Sequence, residues 1–483
     1  MGAGCADRGP SRSDAGAANR LKLRNSRRKR ATPSHFRGIG PIGVAANPPA
    51  ARRNARQCLR NSVTKLSGKR HRSVIVSFEV AGDRDMNHGL GQIGAVTAAW
   101  LSLLFIAASL FGSLCALSAA WAARRFARRP AAASPTAWSD VSILKPLYGA
   151  EARLYDNLET YVHQDYPGAI QVVFGVQDPN DSAIPVVKSL IERYPELDVQ
   201  LVVNGAMHGA NRKVSNLINM GRVARRPVIV VSDSDVAVAP NYLRTLAAAL
   251  AEPGVGAVTC LYRGAPSGGL WSRLTAMAVD DHFLPDTILG LALGLARPCL
   301  GSTIALSRDT LSRIGGFETA ANQLADDYAI GKAVRQAGLR VVLPPMLVAH
   351  AFEEKSLSEA VRHELRWART IFTVDPVGYI ASGFSHPVPL ALIGAALRGF
   401  DALGLVAILV ALACRLFLKY RLTREFDLLN PDYALLVARD ILSFIVYCAS
   451  FWSTRISWRG QNFAVARDGT LLSAAEPRAG SGS

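Results

Sequence analysis

The sequence predicts an α/β domain with a mostly parallel sheet, carried between membrane-spanning helices. Between Ser139 and His350, short apolar runs alternate with helix-like segments, the order in which strands and crossover helices follow one another in a parallel sheet. One run, Pro227-Val-Ile-Val-Val-Ser, reads as a strand buried on both faces and leads directly into Asp233-Ser234-Asp235. Acids at that carboxyl end sit where such sheets place ligands. From Met86 to Ala123 there is no Lys, Arg, Asp or Glu, and a bilayer needs about 20 apolar residues.

At 483 residues the chain has room for roughly two to four domain-sized units, and its 49% hydrophobic content points to membrane association. The net charge of +18 is concentrated at one end: residues 1–85 hold 19 Lys or Arg against 5 Asp or Glu. That stretch has no sustained hydrophobic period and carries Arg27-Arg28-Lys29-Arg30 among Ala, Gly, Pro and Ser, which reads as disorder. A nucleic-acid or anionic-lipid tail and a targeting segment are alternatives. The preferred reading is sequence upstream of the true start, because Met86 directly precedes the anchor, and no nucleic-acid partner is expected. Seven cysteines without CxxC spacing argue against a disulfide framework or zinc knuckle and for a reducing compartment.

The anchor is placed at 90–123, and Arg124, Arg125, Arg128 and Arg129 follow it at once. By the positive-inside rule the domain at 139–375 then lies in the cytoplasm. Residues 386–455 form a second membrane region of two or three helices, followed by a tail at 456–483. Within it, Pro387 to Leu397 and Ala402 to Leu416 flank Arg398 and Asp401, which are three apart and able to pair on one helix face. One tilted helix, a hairpin of two short helices and a re-entrant element all fit that pattern.

Strands are expected at Val141 to Lys145, Gln171 to Gln177, Val199 to Asn204, Val228 to Ser232, Ala257 to Tyr262, Ser302 to Ser307 and Arg340 to Pro344. Helices are expected at Leu154 to Gln164, Ser182 to Tyr194, Lys213 to Val223 and Tyr242 to Ala251. Strand ends then carry polar groups in sequence: Asp178 and Asp181, Asn211 and Lys213, Asp233 and Asp235. Mg²⁺ or Mn²⁺ favours a short acidic pair completed by substrate phosphate, so Asp235, with Asp233, is the candidate metal site. Asp181 is expected to cap the following helix. Lys213 could meet nucleotide or phosphate as a point charge, and a solvated lysine fits its spacing as well.

Lys145-Pro-Leu-Tyr-Gly149, Gln164-Asp-Tyr-Pro167, Gly209-Ala-Asn-Arg-Lys213, Cys299-Leu-Gly-Ser302, Ala325-Asp-Asp-Tyr328 and Arg366-Trp367 occur in this order. Together they resemble the ceramide glucosyltransferase-like branch of the family 2 and 21 glycosyltransferases, over roughly residues 90–460. The wording of Ala210 to Asn219, Ala257 to Arg263 and His363 to Arg369 is most similar to the bacterial hopanoid-biosynthesis branch. The resemblance implies a GT-A, Rossmann-like nucleotide-sugar transferase domain with N- and C-terminal transmembrane helices.

It also implies roles. Asp178 would meet the uracil or ribose of the nucleotide, and Asp327 would be the general base of an inverting displacement, with Asp326 a flanking capping acid. Arg366 and Trp367 match the end of a (Gln/Arg)xxArgTrp signature that meets diphosphate and sugar or acceptor. His363 departs from that signature at its first position, and its charge would depend on pH. An interfacial helix over Leu357 to Thr370, with Arg362, Arg366 and Arg369 at lipid headgroups, is a compatible reading. His282 and Cys299 occupy notable positions, but packing is the commoner role for a lone His or Cys; His350 is open.

The implied activity is transfer of a sugar, N-acetylglucosamine, from a UDP-sugar to a lipid hydroxyl, that of bacteriohopanetetrol. Transfer of glucose to ceramide or another lipid is the alternative within the class. A non-catalytic membrane scaffold is the alternative outside it, opposed by the full set of acids with Arg366-Trp367.

Overall fold

The computed structural model describes residues 82–472 except 152, 430, 453–454, 459–460 and 466–468. All but the last four residues of the basic 1–85 segment, and the end of the tail, lie outside the described residues.

Helix α1 (Gly82–Ala127) runs through the predicted anchor, and its 94–127 portion is long and apolar enough to cross a membrane. The soluble part opens with β1 (Val141–Pro146), α2 (Leu154–Val162), β2 (Ile170–Val176), α3 (Ala183–Arg193), β3 (Asp198–Val203), α4 (Arg212–Gly221) and β4 (Val228–Val231). These are right where the hydrophobic pattern puts them, within two residues at most ends. A short β5 (Val236–Ala237), α5 (Tyr242–Leu250), β6 (Val255–Thr259) and β7 (Leu261–Pro266) follow. Then come α6 (Leu270–Ala278), a π-helical turn at Val279–Phe283, α7 (Leu284–Ala292), β8 (Ile304–Ser307), α8 (Arg308–Arg313), α9 (Asp326–Gln336), β9 (Arg340–Val342) and β10 (Leu347–Phe352).

Seven strands form the main sheet in the order β3-β2-β1-β4-β8-β6-β9. Strands β1 to β4 are mutually parallel where they pair, whereas β8 runs antiparallel to both neighbours. The apolar runs are continuous because alternate residues serve opposite faces: Ile143, Phe174 and Val230 enter one core, and Leu144, Val173 and Val231 the other.

The stretch expected as one strand from Ala257 to Tyr262 is two. β6 stays in the main sheet, and β7 joins a second sheet ordered β5-β10-β7. The switch occurs at buried Cys260, where the chain keeps its apolar character while changing partners, so hydropathy shows no break. Strand β10 was not expected, and its pairing sets His350 opposite Val236.

Helix α10 (Leu357–Val374) leads through α11 (Pro376–Ala381) and a turn at Ser382–Ser385 into α12 (Pro387–Ala396), α13 (Ala402–Phe426) and α14 (Leu436–Ser450). Helices at 402–426 and 433–450 have the length and hydropathy to span; α12, at 10 residues, is shorter. The break between α12 and α13 is real: Gly399 and Phe400 adopt φ of 66° and 59°, and Asp401 caps α13 by accepting from Gly404 N at 2.9 Å. Arg398 and Asp401 do pair, with Nε to Oδ2 at 2.7 Å, but within the break and not along one helix face. Backbone strands β11 (Arg455–Trp458), β12 (Gln461–Val465) and β13 (Leu471–Leu472) close the described chain.

Small residues let α1 approach α12 and α13. Ser102 and Ser109 donate to the carbonyls of Gly394 and Pro387 at 2.9 and 2.8 Å, and Ala119, Ala120 and Ala123 are buried. Buried ion pairs join α13 to α14 through Arg415 and Asp440, α13 to the π-helical turn through Lys419 and Asp281, and α14 to α10 through Arg439 and Glu364, all at 2.7 to 2.9 Å.

Candidate active site

The acidic turn after β4 is held from below by Lys145. This residue ends β1 fully buried, lies 3.7 Å from the Tyr161 ring centroid, and donates Nζ to the carbonyls of Asp233 at 2.6 Å and Val236 at 3.3 Å. Burial lowers its ammonium pKa to about 7 against the pull of Asp235, Asp233 and Glu151. Lys145 fixes the backbone that aims the two aspartates. Its signal was present in the Lys145-Pro-Leu-Tyr-Gly149 motif, but a lysine at a strand end gives no hint that it is buried.

Asp233 faces Lys213, whose Nζ lies 2.7 Å from Asp233 Oδ1 and 3.3 Å from Asp326 Oδ2. Burial pulls the Lys213 ammonium down, but Asp233, Asp326 and Asp327 outweigh it and hold it above its ordinary range. Lys213 is therefore a buried cation shared by two acidic turns, and the solvated alternative is overturned. Its placement follows from Asn211, which caps α4 by accepting from Val214 N at 3.1 Å and anchors itself to Gln323 O at 2.9 Å. Asp326 does not cap α9, where Ala325 occupies that position; it turns inward to Lys213 instead. The cost of burying a lysine outweighs the gain from a local cap.

Asp327, in the first turn of α9, accepts from Gly301 N through Oδ2 at 2.8 Å and from Tyr328 N through Oδ1 at 2.7 Å. Burial first, then Asp326, pushes its carboxyl up to about 6, with Lys213 opposing. A carboxylate so placed can take a proton near neutrality. Gly301 leaves room for this pair: a Cβ on it would lie 2.9 Å from Asp233 Oδ2 and 3.0 Å from Lys213 Nζ, so those side-chain ends would have to shift.

Asp235 sits on the other side. Its Oδ2 is 3.4 Å from His350 Nε2, and its carbonyl accepts from Ala351 N at 2.7 Å, both consequences of β10 joining β5. Asp235 Oδ1 is buried with no hydrogen-bond partner, the condition expected of an oxygen kept for a cation. The acidic pair thus fits a divalent ion. His350, open in the sequence, becomes a neighbour of the site through a strand that hydropathy did not reveal.

Trp367 packs edge-on to His350 at 5.6 Å between ring centroids and to His363 at 4.5 Å. His363 Nδ1 meets Glu354 Oε1 at 2.5 Å, and this bond holds the Glu354 carboxyl below its usual range despite burial. Lys213, Asp233, Asp235, Asp326, Asp327, His350, His363, Arg366 and Trp367 all line one cavity of about 1460 Å³. Asp178 is not among its lining residues. It lies exposed after β2 and accepts from Asn180 N at 2.8 Å. Asp181 accepts from Gly149 N and Ala183 N at 2.9 and 2.8 Å, tying the start of α3 to the loop after β1, while Ser182 occupies the cap position. Cys299 is buried against Gly331, whose added Cβ would come within 2.4 Å of it, in keeping with packing.

Helix α10 starts at Ser356, which accepts from Glu359 N at 3.2 Å. Its Glu364 turns into the protein toward Arg439, on the side of the helix away from Arg362 and Arg366.

The family model for glycosyl transferase family 21 matches residues 103–471. Ceramide glucosyltransferase 1 of Caenorhabditis elegans is 23% identical over 348 residues, covering 68% of this chain and 72% of that one. An N-acetylglucosaminyltransferase of Rhizobium meliloti is 25% identical over 226 residues, 44% of this chain and 51% of that one. A mannosyltransferase of Pyrobaculum calidifontis, solved with GDP-Man and Mn²⁺, superposes with a TM-score of 0.44 at 20% identity, covering 74% and 99% of the two chains. Matched from within its first long apolar helix through the acidic cluster to its last strand, the chain belongs to glycosyl transferase family 21.

Proposed function

We propose that this glycosyltransferase moves N-acetylglucosamine from UDP to a hydroxyl of a hopanoid polyol, bacteriohopanetetrol, by a single inverting displacement at the cytoplasmic face of a bacterial inner membrane. The observation that carries the lipid part is the single cavity: its lining includes the acids around Lys213 and also Phe111 and Cys115 of the apolar helix α1. A soluble acceptor needs no such reach. The donor and acceptor identities rest on the wording of the motifs and on the likeness to the R. meliloti enzyme. The ceramide glucosyltransferases among the relatives favour UDP-glucose and ceramide as a second reading.

A divalent cation, Mg²⁺ or Mn²⁺, bound at Asp235 with Asp233 would supply charge neutralisation at the departing diphosphate. Lys213 holds Asp233 in place and adds a buried positive charge beside it. Asp327 removes the acceptor proton through Oδ1 or Oδ2 as that oxygen attacks the anomeric carbon, and Gly301 N–H orients the carboxylate. Arg366 and His363 meet the diphosphate, Trp367 packs against sugar or acceptor, and Asp178 contacts the nucleoside beyond the cavity.

Membranes containing the chain, supplied with radiolabelled UDP-N-acetylglucosamine or UDP-glucose and with bacteriohopanetetrol or ceramide, test both readings. Label from UDP-N-acetylglucosamine on the polyol is expected and should vanish in Asp327→Ala while UDP binding persists. Label only from UDP-glucose on ceramide selects the second reading.

A further inference from the structure

We infer that the membrane end of the cavity is a hydroxyl-binding subsite, formed around His386, His282, Asp286 and Ser385, that selects lipid acceptors with several neutral hydroxyls in the head. The inference rests on the lipid-acceptor reading above and adds to it which part of the protein reads the head.

The cavity of about 1460 Å³ exceeds the roughly 300–1,000 Å³ usual for one small ligand. Its wall is continuous in aromatic contacts. His350 lies 5.3 Å from Tyr262, and Tyr262 stacks on Phe283 at 4.9 Å. Phe283 adjoins His282 in the π-helical turn, His282 lies 5.0 Å from His386, and His386 lies 5.5 Å from Tyr447. All six of these residues, His350, Tyr262, Phe283, His282, His386 and Tyr447, line the cavity. The path leads from the metal-site acid Asp235 to the helices of the membrane region.

Polar side chains there need partners, because burying a hydroxyl- or amide-like group without one costs about 1–3 kcal/mol. His282 and His386 are only 8% and 6% exposed, and Nδ1 of each lacks a hydrogen-bond partner among the described residues. Asp440 Oδ1 meets His282 Nε2 at 3.1 Å and is itself held by Arg415, which leaves Nδ1 as the remaining polar atom of that ring. Asp286 accepts from Ser385 Oγ through Oδ1 at 2.8 Å, and both residues line the cavity. None of these groups has a task in sugar transfer.

Charge decides the ligand class. The cations nearby are committed, Arg415 to Asp440 and Lys419 to Asp281, whereas Asp286 adds a carboxylate. A phosphate head would meet that carboxylate, while Arg415 and Lys419 are already held by their own acids. Neutral hydroxyls can donate to Asp286 and exchange hydrogen bonds with the imidazole Nδ1 atoms. Beyond them Phe111 and Phe384, in edge contact at 5.0 Å, offer an apolar wall for the lipid body.

The test compares hexadecyl tetrol with hexadecanol as acceptors for the full chain in membranes, reading the ratio of kcat/KM for the two. Wild type should prefer the tetrol by tenfold or more. His386→Phe and Asp286→Leu should each lower that ratio about tenfold, the loss of one good hydrogen bond, with the donor KM unmoved. His386→Asn, which keeps a polar atom near the Nδ1 position, should retain most of the ratio, separating recognition from folding. A wild-type ratio near one, or ratios unchanged in both variants, overturns the subsite. No label on either alcohol, with UDP binding intact, overturns the lipid-acceptor reading instead.

Discussion

Asp327 holds its proton to about pH 6 because it is buried beside Asp326, and Lys213 with the Tyr328 N–H offsets the two only in part. A general base must be unprotonated, so kcat/KM should fall tenfold per pH unit below about 6; a flat profile down to pH 4.5 would remove Asp327 from that role. Asp326→Asn takes away the like charge and should move the limb to lower pH. The sign for stability is opposite. A carboxyl whose folded pKa is raised contributes stability that is complete below its unfolded pKa of 3.8 and is lost as pH rises through about 6. Asp327→Asn should therefore unfold later than wild type in a thermal scan at pH 8, while transferring no sugar. Gly301 supplies a second residue-scale prediction: Gly301→Val would press on Asp233 and Lys213 and should cut kcat by about 100-fold, with secondary structure by circular dichroism unchanged.

At the scale of elements, α10 carries the Arg366-Trp367 pair and is fixed to α14 by Arg439. This fully buried guanidinium meets both Glu364 oxygens at 2.7 Å and the Leu274 carbonyl at 2.9 Å. Removing one partner strands a buried charge, so Arg439→Met should cost about 3–5 kcal/mol. Glu364→Leu with Arg439→Met should recover most of it, measured by thermal unfolding in detergent; a double variant no better than the single would rule out the stranded charge as the cause. The same scale shows what pattern reading can do. The strands β1 to β4 were legible because each is an apolar run ended by polar residues. β10 was not, because Leu347-Val-Ala-His-Ala-Phe is short, alternates buried with partly buried residues and carries a histidine. With β10 hidden, His350 could not be placed next to Asp235.

For the whole molecule, the catalytic domain and membrane helices share one cavity, so packing in the apolar part should reach the chemistry. Gly112 of α1 is the tightest junction, since a Cβ there would come within 2.1 Å of the Phe384 carbonyl oxygen. Gly112→Leu should separate α1 from the Ser382–Ser385 turn, lowering both transfer and thermal stability. Transfer at the wild-type rate would mean that α1 only anchors. The ion pairs Arg415–Asp440 and Lys419–Asp281 give the same coupling in polar form, joining α13 and α14 to the π-helical turn.

The sequence by itself determined the membrane helices, the order of strands β1 to β4, and the identity of the acids. Hydrophobic period, helix length and strand-end polarity are local properties, and residues near one another in the chain express them. Tertiary structure alone decided which polar groups meet. It gave Lys213 to Asp233 and Asp326, Asp235 to His350, and Glu354 to His363, and it left Asp178 outside the shared cavity. It also divided the 257–262 run between two sheets and placed the 398–401 pair in a break. The physical reason is the low dielectric of the interior. There a charge is tolerated only beside its partner, and partners as far apart in the chain as Lys213 and Asp326, or Asp235 and His350, leave no trace in any local pattern.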